Sequence, residues 1–407
     1  AGMTFSGTNV KPDCVIASIQ NPLNVSGKVD FIAPSFEWPV SKILNITYTR
    51  TLPQDVDLTV TYLNSEEEEA LYKIIDTGYP LIGDQPTVPT EKAPDGRPIY
   101  GQTGSNSYRA GLYNECCGER SVISASLSKS FRDGDTRVFM SYTGQDAQDR
   151  NAMTSSTSNS NFGKVGAADY NNRNLGRSTY ETEHRFLATL STKHYFFGPN
   201  KPTQFNLVFT RESGGPKYPT FDTYTNRASD YKTKAFGYDF SLNDDSSSLL
   251  YIPTMGDALV CYSYKCTAEG TDAANARELE IINLLHNVFG LKDYAGQISP
   301  RDAGSFPWQS SLDLNIIQKL PGLRDNDEFV ITFALENVLN FIDEDEGIVN
   351  YGYYSGRIPV IDLRIVDGKY DYSRYAYRYD ATGNPFNISR STTQSLWRAS
   401  LGFQYKF

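Results

Sequence analysis

The feature that most constrains this chain is a two-residue alternation of apolar and polar side chains, repeated in segments of about ten residues. Successive side chains on a strand point to opposite faces, so each segment reads as a strand with one apolar and one polar face. Leu44, Ile46 and Tyr48 alternate with Asn45, Thr47 and Thr49, and Val56, Leu58, Val60 and Tyr62 with Asp57, Thr59 and Thr61. Ile123, Ala125 and Leu127 face away from Ser124, Ser126 and Ser128, and Val138, Met140 and Tyr142 share a face. Phe186, Ala188 and Leu190 oppose Thr189 and Ser191, and Phe205, Leu207 and Phe209 oppose Gln204, Asn206 and Thr210. Leu312, Leu314 and Ile316 oppose Asp313 and Asn315, and Phe329, Ile331, Phe333 and Leu335 oppose Thr332 and Glu336. The last segment is the clearest: Trp397, Ala399, Leu401, Phe403, Tyr405 and Phe407 against Arg398, Ser400, Gln404 and Lys406.

These nine segments predict strands at 41–51, 55–65, 121–131, 136–147, 183–196, 203–212, 310–319, 328–339 and 395–407, hence an all-β fold. A tenth candidate, DCVIASIQ at 13–20, is short and weakly patterned. Alternation alone also fits a soluble sandwich, where one face meets a core. The connections separate the two readings. Short turns at 52–55, 132–135, 197–203 and 321–327 alternate with long polar stretches at 66–118, 149–182, 213–307 and 341–392. Loops that long are uncommon in compact domains, whereas outer-membrane barrels pair tight periplasmic turns with long extracellular loops. The expected architecture is therefore an antiparallel transmembrane β-barrel. With the short turns periplasmic, the last strand runs inward and the first clear strand starts outside. An odd strand count then implies that upstream strands lie outside this chain.

Composition agrees. Aromatic residues make up 13%, with 28 Tyr and 22 Phe, as the two aromatic girdles of a barrel require. No apolar run approaches the ~20 residues of a spanning helix, and mean hydropathy is −0.46, because alternating strands average out. The net charge of −10 argues against a nucleic-acid partner. Residues 1–12 carry neither a basic region nor an apolar core, so either a signal peptide has been removed or the chain begins inside a longer protein.

Cys261 and Cys266 lie five apart in one long connection, where an oxidising envelope allows a disulfide. Cys116 and Cys117 are adjacent, so a bond between them is expected to be strained, and Cys14 is a candidate partner for one of them. His184, His194 and His286 show no metal-ligand or catalytic spacing, and no cofactor or enzymatic activity is expected. The acidic runs Glu66–Glu69 and Asp343–Glu346 match no calcium loop and read as solvated. Segment 149–182, rich in Ser, Asn and Gly, also reads as solvated, and the long connections are expected to expose Tyr and Asn for ligand contact. Residues 273–289 read as an amphipathic helix capped by Asp272 and stopped at Gly290.

Several stretches resemble the Oar-like branch of the TonB-dependent receptors, in family order and over nearly the whole length after about residue 30. FEWPVSKILNITYTRTLPQDVDLTVTYLNS (36–65) is similar to the family's strand–turn–strand unit, and SSTSNSNFG (155–163) and NNRNLGRSTYETEHRF (171–186) to a loop that re-enters the barrel. SSLLYIPT (247–254) resembles a Leu-Tyr-x-Pro segment. LKDYAGQISPRDAGSFPWQSSLDLNIIQKLPG (291–322) is the most specific stretch, followed by ENVLNFIDEDEG (336–347) and SLWRASLGFQYKF (395–407). The resemblance implies that residues 1–407 are the C-terminal part of a 22-stranded barrel in the outer membrane of a Gram-negative bacterium. It implies a plug and a TonB-contacting box supplied from upstream sequence or another chain, and uptake of a scarce or bulky substrate. Trp397, Leu401, Phe403, Tyr405 and Phe407 would then face lipid and carry the assembly signal. The alternative is a passive porin or a barrel-based surface adhesin.

Overall fold

In the computed structural model the alternating segments pair into one continuous antiparallel sheet. The structure describes residues 28–75, 91–99, 108–222 except 152, 154 and 164, 248–351 except 325 and 326, 356–374 and 389–407. Cys14 and the 13–20 segment lie outside the described residues. The nine long strands are β1 (Ser41–Leu52), β2 (Val56–Ile75), β3 (Tyr108–Phe131), β4 (Thr136–Asp149), β5 (His184–His194), β6 (Thr203–Glu212), β7 (Gln309–Pro321), β8 (Glu328–Glu336) and β9 (Arg398–Lys406). Each pairs with its neighbours in chain order, so the sheet is an up-and-down meander with β1 and β9 at its edges. The short strand Lys28–Ile32 adds in parallel to β3 at Tyr108–Leu112, and Gly176–Arg177 adds to the end of β4.

Register keeps the two faces apart. Leu58, Leu127, Met140, Ala188, Phe209 and Leu312 form one apolar row, and Phe205, Ile316, Phe333 and Leu401 another on the same face. The opposite face is polar and bonded across strands. Thr47 and Thr61 hydroxyls lie 3.2 Å apart, those of Thr210 and Ser311 2.7 Å, and Asn206 Oδ1 accepts from Ser191 Oγ at 2.9 Å and Gln204 Nε2 at 2.8 Å. The apolar face is uncovered. Leu401 and Phe403 are 60% and 63% exposed, and Ile46, Tyr48, Ile123, Leu127 and Met140 are exposed as well.

The short turns are staggered. Leu52–Val56, Lys129–Val138, Leu190–Leu207 and Leu314–Leu335 lie on one straight row across the sheet. The first hairpin closes at that row. The β3–β4 hairpin closes two residues beyond it at Phe131–Thr136, β5–β6 four beyond at His194–Thr203, and β7–β8 seven beyond at Pro321–Glu328.

The packed core lies in the long connections. Ala93, Phe162, Tyr170, Phe221, Leu250, Ile252, Ile281, Leu285, Ile358, Val360, Tyr370 and Tyr372 belong to one buried cluster drawn from all four connections. These connections thus fold together as a cap on one end of the sheet. Helix α1 (Asp272–Asn283) and the π turn Leu284–Val288 that follows belong to it. Gly356 sits at φ +79 against the Pro216 carbonyl oxygen, a position where a Cβ has no room, and brings two of the connections together.

Several sequence expectations change. Both ends of the 66–118 stretch are strand: β2 runs to Ile75 and β3 starts at Tyr108, paired with a bulge between Glu67 and Glu69. Glu66–Glu69 is therefore part of a hairpin, not a solvated loop. Segment 149–182 is not solvated either, since Asn151, Ser158, Asn161, Phe162, Val165, Asn171 and Arg173 are buried in it. The connections' tyrosines Tyr218, Tyr251, Tyr370 and Tyr372 are buried, the last three because bulky rings from one connection pack on those of another. The helix is capped by Thr271, whose Oγ1 accepts from Ala274 N at 3.3 Å, so Asp272 is its first residue. Cys116 and Cys117 are joined to each other, and Cys14, the other candidate partner, lies outside the described residues.

Candidate functional site

The cap meets the sheet where β4 and β5 part. Their pairing stops at Gly144–His184, and the end of β4 turns to Gly176–Arg177 instead. Charged side chains fill this junction. Arg177 Nε donates to Glu181 Oε1 at 2.6 Å, and Arg177 Nη1 to Ser305 Oγ at 2.7 Å. Glu181 Oε2 accepts from Ala147 N of β4 at 2.8 Å. Arg301 pairs with Asp149 Oδ1 at 3.1 Å and donates to the Gly176 carbonyl at 3.1 Å. Burying ionised groups costs free energy unless each is paired and hydrogen-bonded. Here every one of these groups is, so the junction is held in one geometry.

The same device recurs deeper in the cap. Arg97 pairs with Asp95 at 2.5 Å, donates to the Leu249 carbonyl at 2.8 Å and lies 5.6 Å over the Phe221 ring. Arg364 pairs with Asp371 at 2.7 Å, and Asp371 also accepts from Lys265 N at 2.9 Å. Arginines thus tie connections distant in sequence through carbonyls and carboxylates, which suits the fixed fork of the guanidinium. Burial pushes the Glu69 and Glu181 carboxyls above the usual range, the Lys217 ammonium below its own, and the Tyr251, Tyr370 and Tyr372 hydroxyls upward.

Beside the junction opens a cleft of about 780 Å³. Its walls carry Gln145, Asp146, Asp169, Asn172, Asn174 and Glu183 with Tyr294 and Asp302, a polar lining with more carboxylates than cations. Two stretches singled out in the sequence build this part of the cap together. Tyr251 and Ile252, from the Leu-Tyr-x-Pro segment, pair with Ile298 and Gln297, from the 291–322 stretch. That stretch then places Arg301 in the junction and runs into β7. Arg177, Glu181 and Arg301 escape sequence reasoning as a set. Arg301 comes from a different connection than the other two, and the four-residue spacing of Arg177 and Glu181 falls outside any helix.

The sequence-based site residues are placed as follows. Cys261 and Cys266 are joined by a disulfide with Cα atoms 5.3 Å apart, in the cap. Beside it the Arg364 and Arg374 guanidinia lie 4.9 and 4.6 Å over the Tyr264 ring. Leu401, Phe403 and Tyr405 lie on the apolar face of β9, and Trp397 and Phe407 flank the strand. Trp397 meets Phe341 edge-on at 5.2 Å, and Phe403 stacks on Phe329 at 6.0 Å. Tyr405 donates to Asp327 and accepts from Leu323 N at 3.1 Å, which ties the strand to the β7–β8 turn. His184 Nδ1 meets Tyr142 OH at 2.9 Å, His194 stacks on Phe196, and His286 Nε2 meets the Pro253 carbonyl at 2.9 Å. The structure does not bring the three together. Among the described residues one set of three metal-type ligands converges, Glu66 with Cys116 and Cys117, and the bond between the cysteines leaves no thiolate there. No family model and no curated protein matches this chain.

Proposed function

We propose that this chain forms part of an outer-membrane β-barrel and serves uptake of a scarce or bulky substrate, as a TonB-dependent receptor of the Oar-like kind. The observation that carries the membrane reading is the inverted sheet: its apolar face is exposed, and its polar face is satisfied by hydrogen bonds between strands. A sheet built for water buries the apolar face, whereas a barrel turns it to lipid. The stagger of the turns supports the same reading. Seven residues of descent at about 3.3 Å each, over six strand spacings of about 4.8 Å, give a tilt of roughly 40°, inside the 35–45° of membrane barrels. Phe186 and Phe196 then mark the two edges of the band. Ten residues at that tilt project to roughly 25 Å, the height of a lipid-facing belt. Phe131, Phe329, Tyr405 and Phe407 cluster toward the turn side, and Tyr62, Tyr142, Phe186 and Trp308 toward the cap.

The transport part of the reading rests on the sequence resemblance, now with a structural setting: the resembling segments form the cleft wall and the last strands. A plug and TonB contact from elsewhere would supply the energy. A barrel-based surface adhesin is the second reading, favoured by the packed cap, which presents a firm outer surface.

Fractionation of the producing cell tests the membrane reading. The protein is expected in outer-membrane fractions as a β-rich species that migrates faster unheated than heated, and deletion of Phe407 is expected to lower that folded fraction. A water-soluble monomer would overturn it. Loss of growth on a transported nutrient after gene deletion separates uptake from adhesion.

A further inference from the structure

Cys116 and Cys117 sit where β2 and β3 fall out of step. Glu67 pairs with Gly118 and Glu69 with Glu115, so Glu68 alone stands against both cysteines and the pair forms a β-bulge. Neighbours in a regular strand point to opposite faces, but here both sulfurs gather beside one carboxylate. The ligand atoms of Glu66, Cys116 and Cys117 lie within 4.8 Å of one another, with Glu66 and Cys116 exposed and Cys117 half-buried. Glu119 is also exposed and directly opposite Glu66, an arrangement of like charges that destabilises a strand pair. The acids on the other side of the bulge are engaged, Glu69 with Arg150 and Glu115 with Lys73. Among the described residues Glu66 and Glu119 form no ion pair, although Lys42 of β1 stands opposite Glu66 in register. The bond between the cysteines joins no two elements. A disulfide stabilises in proportion to the chain it closes, so a bond between neighbours braces nothing beyond itself, and breaking it leaves the β2–β3 pairing in place.

We infer that Cys116, Cys117 and Glu66 form a redox-gated site for a thiophilic divalent cation of the zinc and cadmium kind. While the cysteines are bonded the site is closed. Two molecules of a small thiol open it: one attacks a sulfur of the exposed bond to give a mixed disulfide, the second displaces the first, and they leave as their own disulfide while both cysteines become thiols. The cation then takes two thiolates and the Glu66 carboxylate, and two protons are released. Tetrahedral zinc with sulfur at about 2.3 Å sets its ligand atoms roughly 3.5–4 Å apart, a closure that the exposed Glu66 side chain can make by rotation. Glu119 stands where its carboxylate or a water completes the set, and the cation relieves the repulsion between the two acids. Adjacent thiols with a carboxylate favour a soft or borderline ion over magnesium or calcium, which prefer all-oxygen sites. The site lies within the hairpin and does not rest on the membrane or transport reading, so its failure leaves both standing.

Alkylation of the cysteines tests the site in the protein isolated from the producing cell with whatever chains accompany it. The protein is reduced with dithiothreitol, freed of reductant without air, and treated with N-ethylmaleimide. Trypsin cleaves after Arg109 and Arg120, so one peptide, 110–120, carries both cysteines and mass mapping reads them apart from Cys14, Cys261 and Cys266. Zinc or cadmium should slow alkylation of Cys116 and Cys117 together, and magnesium should not. Glu66→Gln should raise the zinc concentration needed by about tenfold or more, a loss that even the outer partners of metal ligands cause. Glu67→Gln removes the same charge from the opposite face and should leave the protection unchanged. Without reduction the same peptide should be recovered with its cysteines linked. Thiols that zinc leaves fully reactive, protection that survives Glu66→Gln, or equal protection by magnesium overturns the site. Free Cys116 and Cys117 thiols in unreduced, air-exposed protein overturn the gate.

Discussion

Glu181 takes the Arg177 guanidinium on one carboxylate oxygen at 2.6 Å and the Ala147 backbone N–H on the other at 2.8 Å, so one side chain fastens the cap to β4. Both side chains are at most 7% exposed. Removing one member of a buried pair strands the other charge, at a cost of about 3–5 kcal/mol. Glu181→Ala is therefore expected to loosen the junction by that order, read as faster amide exchange at 145–149 and 176–183. Glu181→Gln keeps an acceptor for Ala147 and should cost less. Unchanged exchange in both variants would show that the junction does not hold the cap.

Glu69 gives the upper hairpin a pH dependence. Its carboxylate accepts from Arg150 N at 2.8 Å and from Arg150 Nη1 at 3.3 Å, yet burial outweighs these bonds and raises its pKa above the usual 4.5. The folded state then holds the proton more tightly than the unfolded chain, so this group's contribution rises on acidification through the window just above 4.5 and falls as the pH increases. The stability of the parent minus that of Glu69→Gln should be more favourable at pH 5 than at pH 7.5 in denaturant titrations. A difference that does not change with pH would refute this.

The two faces of β9 should tolerate charge unequally. Leu401 pairs with Phe333 on the apolar face, and Ser400 with Ala334 on the polar one. Leu401→Arg is expected to cost ~2–4 kcal/mol in reversible folding into vesicles if the residue sits near the bilayer midplane, and Ser400→Arg much less. Equal costs would point to a water-exposed sheet.

How far the sequence carried follows from which interactions are local. β6 spans 203–212 as its alternation predicts, because a strand with one face in each medium announces itself by period alone. β2 and β3 run past their predicted ends, because Glu66–Glu69 looks like a solvated run until Glu115–Glu119 is seen to pair with it. The cap was not legible. Phe221, Tyr370 and Tyr372 bury one another from connections well separated in the chain, with no period to mark them, and Arg301 meets Asp149 across 152 residues. The cysteine pair Cys261–Cys266 was visible, since its spacing is short enough to close without knowing the fold.

That disulfide should be a local brace. A loop so short gains about 2 kcal/mol from closure by the chain-entropy estimate. Peptide mapping without reductant should recover the two cysteines linked, and Cys261→Ser with Cys266→Ser should speed exchange around Tyr264 while leaving the β sheet unchanged. Two freely alkylated thiols in oxidised protein would remove the bond from the account.

β1 and β9 bear on how the proposed barrel closes. Both are edges of the sheet and are exposed over nearly their whole length, and among the described residues they do not pair with each other. In an antiparallel meander of nine, the first and last strands run in the same direction. Closing directly would make one parallel pair in an otherwise antiparallel sheet, whereas leaving both edges bare in lipid would strand backbone donors and acceptors at several kcal/mol each, roughly. A closed, wholly antiparallel barrel is therefore expected to need further strands, an odd number of them, between β9 and β1. In a cysteine-free background, Ser400→Cys combined in turn with Asn45→Cys, Thr47→Cys or Thr49→Cys should resist a short bifunctional crosslinker in membranes. Ser400→Cys with Ala334→Cys, its partner across β8, should react readily. Efficient linking of Ser400→Cys to any of the β1 cysteines would mean that nine strands close on themselves, and would replace the large plugged barrel with a small pore.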